Sequence, residues 1–197
     1  KNQPHFDIEG SIRYKDEGSL EEMRNLYKPK KFIKEAWDKE YDKYFYNPIF
    51  EKNKHPYSSI IRYHAMLYTI YQCYKLVEDY SRFTDIKYDL IIKARSDIRP
   101  TNPIILEEID KALKNRVLFV DFLRENGTCG DVLFFGNPDC MFDACGLYLY
   151  YKNLYTYYNL QFDTEQMFPG YLKYKNIKVL QHSMGPVHVL RPPQAVW

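Results

Sequence analysis

Tyr88–Ala94 reads Y-D-L-I-I-K-A, and Lys93–Pro100 continues it as K-A-R-S-D-I-R-P. The apolar centre without helical spacing predicts a buried strand that turns polar at its carboxyl end. Pro100 is expected to end it, because proline cannot extend a central strand. Side chains alternate along a strand, so Lys93, Arg95, Asp97 and Arg99 share one face if the extended geometry persists.

The flanks make this strand one member of an alternating series. Upstream, Ser58 caps a helix running to about Tyr80, with Ile60, Tyr63, Leu67, Ile70, Tyr74 and Val77 on one stripe. His64 lies beside that stripe and reads as a helix-packed histidine rather than a ligand. Downstream, Ile104–Leu113 is expected to be helical, and Val117–Val120 is a second strand. Asp131 introduces a third, Val132–Phe135, closed by Gly136. Asp139 reads as the N-cap of one long aromatic helix, Asp139–Asn159. Asp163 or Thr164 caps another that ends near Tyr174, and Ile177–Leu180 is a last short strand. Strands alternating with helices predict an α/β fold with a mostly parallel sheet. Nearer the start, Phe6–Ile8 is a strand stub. S-L-E-E from Ser19 is a capping box opening a helix over Leu20–Tyr27. Lys30–Trp37 reads as a strand and Asp38–His55 as an irregular loop.

Composition narrows the function classes. The 197 residues fit a single domain, 1–197, with a core of its own. A net charge of +2 is too balanced for a protein that neutralises nucleic acid over a wide surface. No apolar stretch approaches the roughly 20 residues of a membrane span, and Lys1–Asp7 has no signal-peptide core. The abrupt opening suggests a fragment of something longer. The four cysteines form no C-x-x-C pair and read as reduced thiols in a reducing compartment. The 20 tyrosines reflect either an AT-rich composition or rings that stack on sugars or bases. There is no G-x-G-x-x-G, P-loop, G-x-S-x-G or H-E-x-x-H.

In open α/β sheets, ligands bind outside the carboxyl ends of the strands. There Lys93, Arg95 and Arg99 suit the phosphates of a nucleoside diphosphate, and Asp97 suits a divalent metal or a ribose hydroxyl. The plain alternative is a surface ladder in which Asp97 only pairs with Arg95 or Arg99. Asp131 is either a turn-capping carboxylate or a catalytic acid or base. Glu165 near a helix start is favoured by the helix dipole without any function. His182, just past a strand, is either a metal ligand or a loop residue.

Several segments, in this order, resemble a family of glycosyltransferases found in bacterial surface-polysaccharide clusters and in large DNA viruses. They are L-Y-K-P-K-K-F-I-K-E, Y-S-S-I-I-R-Y-H-A-M-L-Y-T-I-Y-Q-C-Y, K-Y-D-L-I-I-K-A-R-S-D-I, G-D-V-L-F-F-G-N-P-D-C-M and T-E-Q-M-F-P-G-Y-L-K-Y-K-N-I-K-V. The resemblance spans Leu26–Val179. It implies one GT-A-like, Rossmann-like domain with a mixed, mostly parallel sheet flanked by helices. It implies sugar transfer, hexosyl or pentosyl, from a nucleotide-sugar donor to a hydroxyl of a glycan acceptor, in the cytoplasm (the host's, for a viral member). Such folds often bind Mn²⁺ or Mg²⁺ through a D-x-D motif. Here the matching positions are Arg95, Ser96 and Asp97, with arginine in the first acidic place. Either Asp97 holds the metal with help from His182, or Arg95 replaces part of the metal's charge. Asp131 is the first candidate for the catalytic carboxylate and Glu165 the second. Family members also carry a preceding strand and a Gly/Arg-bearing loop that are not seen here, so part of the nucleotide site is expected to be missing. The alternative is a non-catalytic carbohydrate-binding or assembly module that retains the fold.

Overall fold

The computed structural model describes residues 21, 25, 28–30, 57–95, 98–158, 164–185 and 187–189, without the side chains of 57–62, 157–158, 164–165 and 188–189. The stub at Phe6–Ile8, the strand expected over Lys30–Trp37 apart from Lys30 itself, and the loop at Asp38–His55 lie outside these residues. So does most of the first helix, of which Glu21 and Asn25 are seen to be helical. Contacts divide the chain into two compact units, Lys1–Met66 with Arg191–Trp197, and Leu67–Leu190. In the first, the described residues are mainly the opening turns of helix α1 (Tyr57–Thr84), where His64 is buried. The second unit carries the sheet.

From Leu67 onward the chain forms an α/β structure. Its elements are β1 (Ile91–Ala94), β2 (Ile98–Pro100), α2 (Leu106–Lys114), β3 (Val117–Val120) and β4 (Leu133–Gly136). Then follow α3 (Pro138–Cys145), α4 (Leu147–Tyr158), α5 (Thr164–Tyr174), β5 (Lys178–Gln181) and β6 (Val187–Val189). The main sheet has the order β1-β4-β3-β5, and β2 pairs with β6 in a separate two-stranded sheet.

The sheet is mixed, as expected, but not mostly parallel. β1 with β4 and β4 with β3 are antiparallel, and only β3 with β5 is parallel. The connection between β3 and β4 holds no helix and turns back on itself, so β4 pairs antiparallel with β3. The turn is made in a hairpin arm: Leu123 bridges Cys129, Arg124 N–H donates to Thr128 O at 2.8 Å, and Gly127 turns the chain at φ 86°. Glycine adopts that left-handed conformation without a steric penalty.

β3 and β4 are buried along their whole length. Their continuous apolar runs, V-L-F-V and L-F-F-G, are those of strands covered on both faces. On one face Phe119 stacks on Phe135 at 5.0 Å, and with Val117, Leu133, Met184 and Ala112 of α2 they form a core cluster. On the other face Phe134 meets Phe168 of α5 at 5.3 Å. There Gly136 lets α3 approach closely: a Cβ at 136 would lie 3.2 Å from the Cys140 Cβ. α1 reaches this helical layer through Tyr74, whose ring lies 5.8 Å from Phe142, and through Tyr71, stacked on Tyr148 at 5.6 Å.

Three local expectations are corrected. The aromatic helix is two helices, because Gly146 ends α3 before Leu147 opens α4. Asn137, not Asp139, caps α3: its side chain accepts from Cys140 N–H at 2.9 Å, and Pro138 occupies the first turn, where no N–H is needed. β1 stops at Ala94, and Pro100 instead belongs to β2, a two-stranded edge position that tolerates a proline. None of the four cysteines forms a disulfide. Among the described residues no helix is long and apolar enough to cross a membrane.

Candidate functional site

The pairings bring four strand ends to one sheet edge. Ala94 at the end of β1 faces Leu133 at the start of β4, and Val120 at the end of β3 faces both Phe134 and Gln181. The carboxyl ends of β1, β3 and β5 therefore meet the amino end of β4. Arg95, Asp121 and His182 directly follow the carboxyl ends, and Asp131 stands two residues before β4. Asp131 stands at this edge because β4 runs antiparallel to β1.

Lys93 lies on the Phe134 face of β1, with its ammonium 5.3 Å from the ring centroid. Its Nζ donates to the carbonyl oxygen of Asp131, and to that of Val132 at 3.3 Å. Desolvation pushes its pKa below the usual lysine range, against the opposing pull of Asp131. The charge of Lys93 is thus directed at backbone oxygens across the edge. Ser96 and Asp97 lie outside the described residues. Arg99 sits in β2, opposite His188 of β6, so the extended geometry does not persist from Lys93 to Arg99 within one sheet.

Asp121, which was not among the expected site residues, is the buried carboxylate of this edge, with 8% of its surface exposed. Its place depends on Gly130. A Cβ at 130 would lie 2.2 Å from Asp121 Oδ1 and 2.6 Å from Oδ2, so no other residue fits beside it unmoved. Oδ1 accepts from Leu133 N–H at 3.4 Å. Burial pushes the Asp121 pKa up, while backbone N–H groups and the charges of His182 and Lys93 act in the opposite direction.

His182 follows β5, tied in by its N–H to Val120 O at 3.0 Å, and is 3% exposed. Its Nδ1 accepts from Met184 N–H at 3.2 Å. That bond uses the Nδ1 lone pair, so the neutral ring carries its proton on Nε2. Burial holds its pKa below the usual histidine value, although Asp121 and Glu108 favour the charged form. Glu108 of α2 is a second group missed in the sequence. Its Oε1 accepts from Ser183 N–H at 2.6 Å and so clamps the turn after β5. Glu108 Oε2 and His182 Nε2 are both buried without a hydrogen-bond partner. Glu165 stands in the first turn of α5, its side chain outside the described residues.

The donor set does not suit a divalent cation. Among the described residues no three His, Cys, Asp or Glu side chains are grouped to hold one. His182 in this tautomer offers no free lone pair. The described residues therefore do not by themselves make a site for Mn²⁺ or Mg²⁺. What they do make is a partly desolvated edge with a buried carboxylate, a neutral imidazole and basic groups from β1, an arrangement suited to moving a proton beside an anionic ligand. Comparison with protein-family models, with curated proteins and with solved structures returns no match.

Proposed function

We propose that this chain transfers a sugar from a nucleotide-diphosphate donor to a hydroxyl of a glycan acceptor, on a GT-A-like domain. The reading is supported by the meeting of the β1 exit, which carries Lys93 and Arg95, with the β4 entry, which carries Asp131, at one sheet edge. Anionic ligands of α/β proteins bind at such edges. A departing diphosphate gathers negative charge, and a cation beside it lowers the barrier. Arg95, whose guanidinium can pair with two phosphate oxygens, is the first residue for that role and Arg99 the second. Asp131 lines the acceptor side. Asp97 keeps its candidacy for the donor on sequence grounds alone.

The engagement of Lys93 with backbone favours a second reading, a carbohydrate-binding or assembly module that keeps the fold without the chemistry. A thermal-shift panel of nucleoside diphosphates, with and without Mn²⁺, tests the first reading, because a ligand of the folded state raises its stability by mass action. Uridine or guanosine diphosphate is expected to raise the Tm. Arg95→Ala should abolish that rise, and Arg95→Lys should weaken it, since lysine cannot reproduce a bidentate guanidinium contact. No rise with any nucleoside diphosphate would count against transfer, and a rise with free glycans alone would favour the module.

A further inference from the structure

We propose that Asp121, rather than Asp131, is the carboxylate that takes the proton of the acceptor hydroxyl; this rests on the glycosyl-transfer reading above. Asp121 leaves β3, which is flanked by β4 and β5, so both neighbours fix its backbone. Its carboxylate fills the space left by the missing side chain of Gly130. Apart from the N–H groups of Leu133 and of Asp121 itself, no hydrogen-bond donor among the described residues reaches it. The nearby cation, Lys93, is turned to the carbonyls of Asp131 and Val132. An acceptor hydroxyl would supply the donor that this carboxylate lacks.

The groups around it come from every element at the edge: Lys93 from β1, Asp131 before β4, His182 after β5 and, behind His182, Glu108 from α2. Arg95 adds a cation beside Lys93. Burial outweighs the opposing pull of the backbone N–H groups, His182 and Lys93, so Asp121 holds a proton more readily than an ordinary aspartate. That is the property of an effective general base. In the step, the hydroxyl proton passes to Asp121 and the acceptor oxygen bonds to the anomeric carbon from the side opposite the leaving group. The bond from that carbon to the phosphate oxygen breaks, and its electron pair leaves on the nucleoside diphosphate. The balance is a neutral carboxylic acid, the glycoside and the free diphosphate.

The test uses the full chain with uridine and guanosine diphosphate sugars as donors and methyl glycosides as acceptors, reading release of nucleoside diphosphate. Asp121→Asn is expected to lower turnover roughly 10²–10⁴-fold while diphosphate affinity changes less than about twofold. Full turnover in Asp121→Asn overturns the proposal. If Asp131→Asn loses turnover and Asp121→Asn does not, Asp121 is excluded and the transfer reading stands. If the wild type neither binds nucleoside diphosphates nor releases them, both readings fall. Carbon-13 titration of the Asp121 carboxyl in the wild type makes the test independent of the variant's folding. A midpoint at or below the ordinary aspartate value overturns the proposal, and one above it supports it.

Discussion

The Lys93 ammonium donates to the carbonyl oxygens of Asp131 and Val132, so a side chain as well as the strand ladder bonds the exit of β1 to the entry of β4. Lys93→Met leaves both carbonyls without that donor and should cost about 1–3 kcal/mol at pH 7. Its pKa is held below the usual value by desolvation. Between that lowered value and the ordinary lysine value, the unfolded chain binds the proton more tightly, so wild-type stability gains from Lys93 as pH rises. The gap between wild type and Lys93→Met should therefore widen from pH 7 to pH 10. Urea unfolding of both proteins at the two pH values measures it, and a constant gap would contradict the desolvation of Lys93.

Asp121 behaves in the opposite sense. Its folded pKa is raised by burial, so it stabilises the fold fully only below the ordinary aspartate value, and that contribution is lost as pH rises through the folded value. At pH 7 the buried charge is a cost. Asp121→Asn should raise the Tm by a few degrees there, about what 1 kcal/mol produces in a chain of this size. The advantage should vanish near pH 3, as scanning calorimetry across that range will show. A lower Tm at pH 7 would mean that the carboxylate holds the hairpin arm in place.

Gly130→Ala should destabilise by about 1–3 kcal/mol, the usual cost of forcing atoms into a filled site. The atoms nearest the added Cβ are those of the Asp121 carboxylate. In a double-mutant cycle, Asp121→Gly should therefore remove most of the Gly130→Ala penalty. Additive penalties would show that the glycine is required for another reason.

Asn137→Ala should cost about 1 kcal/mol through loss of the cap on Cys140 N–H, and Asn137→Asp should recover most of it. The Asp variant keeps the acceptor but loses the donation from Nδ2 to Asn115 O at 3.0 Å. Chemical denaturation of the three proteins separates the two bonds.

The elements were legible where the chain writes its own period. Val117–Val120 falls on β3, and β4, β5 and α2 lie within two residues of their expected bounds. Pairing was not legible, because direction depends on how the connections reverse and not on the strands they join. The β3–β4 arm decides it, through a short connection and one glycine at positive φ. Asp131 and His182, singled out beside recognisable turns, do stand at the sheet edge. An acid after V-L-F-V looks like a strand terminator, yet Asp121, at the exit of a fully buried strand, is itself a signal. Glu108 carried none: it reads as a first-turn helix acid, and only the turn after β5, distant in sequence, gives it a partner.

The single parallel pairing bears on the order in which the sheet can assemble. β3 reaches β4 through the hairpin arm, but it reaches β5 only after α3, α4 and α5 have intervened, a loop more than four times as long. Closing the longer loop costs about 1.3 kcal/mol more in chain entropy, and contacts of high sequence separation slow folding. During synthesis β1, β3 and β4 leave the ribosome before β5 exists, with one side of β3 still unpaired. The strand that brings His182 to the edge is thus the one that closes the sheet, and the edge is complete only in a chain that has folded to the end of β5.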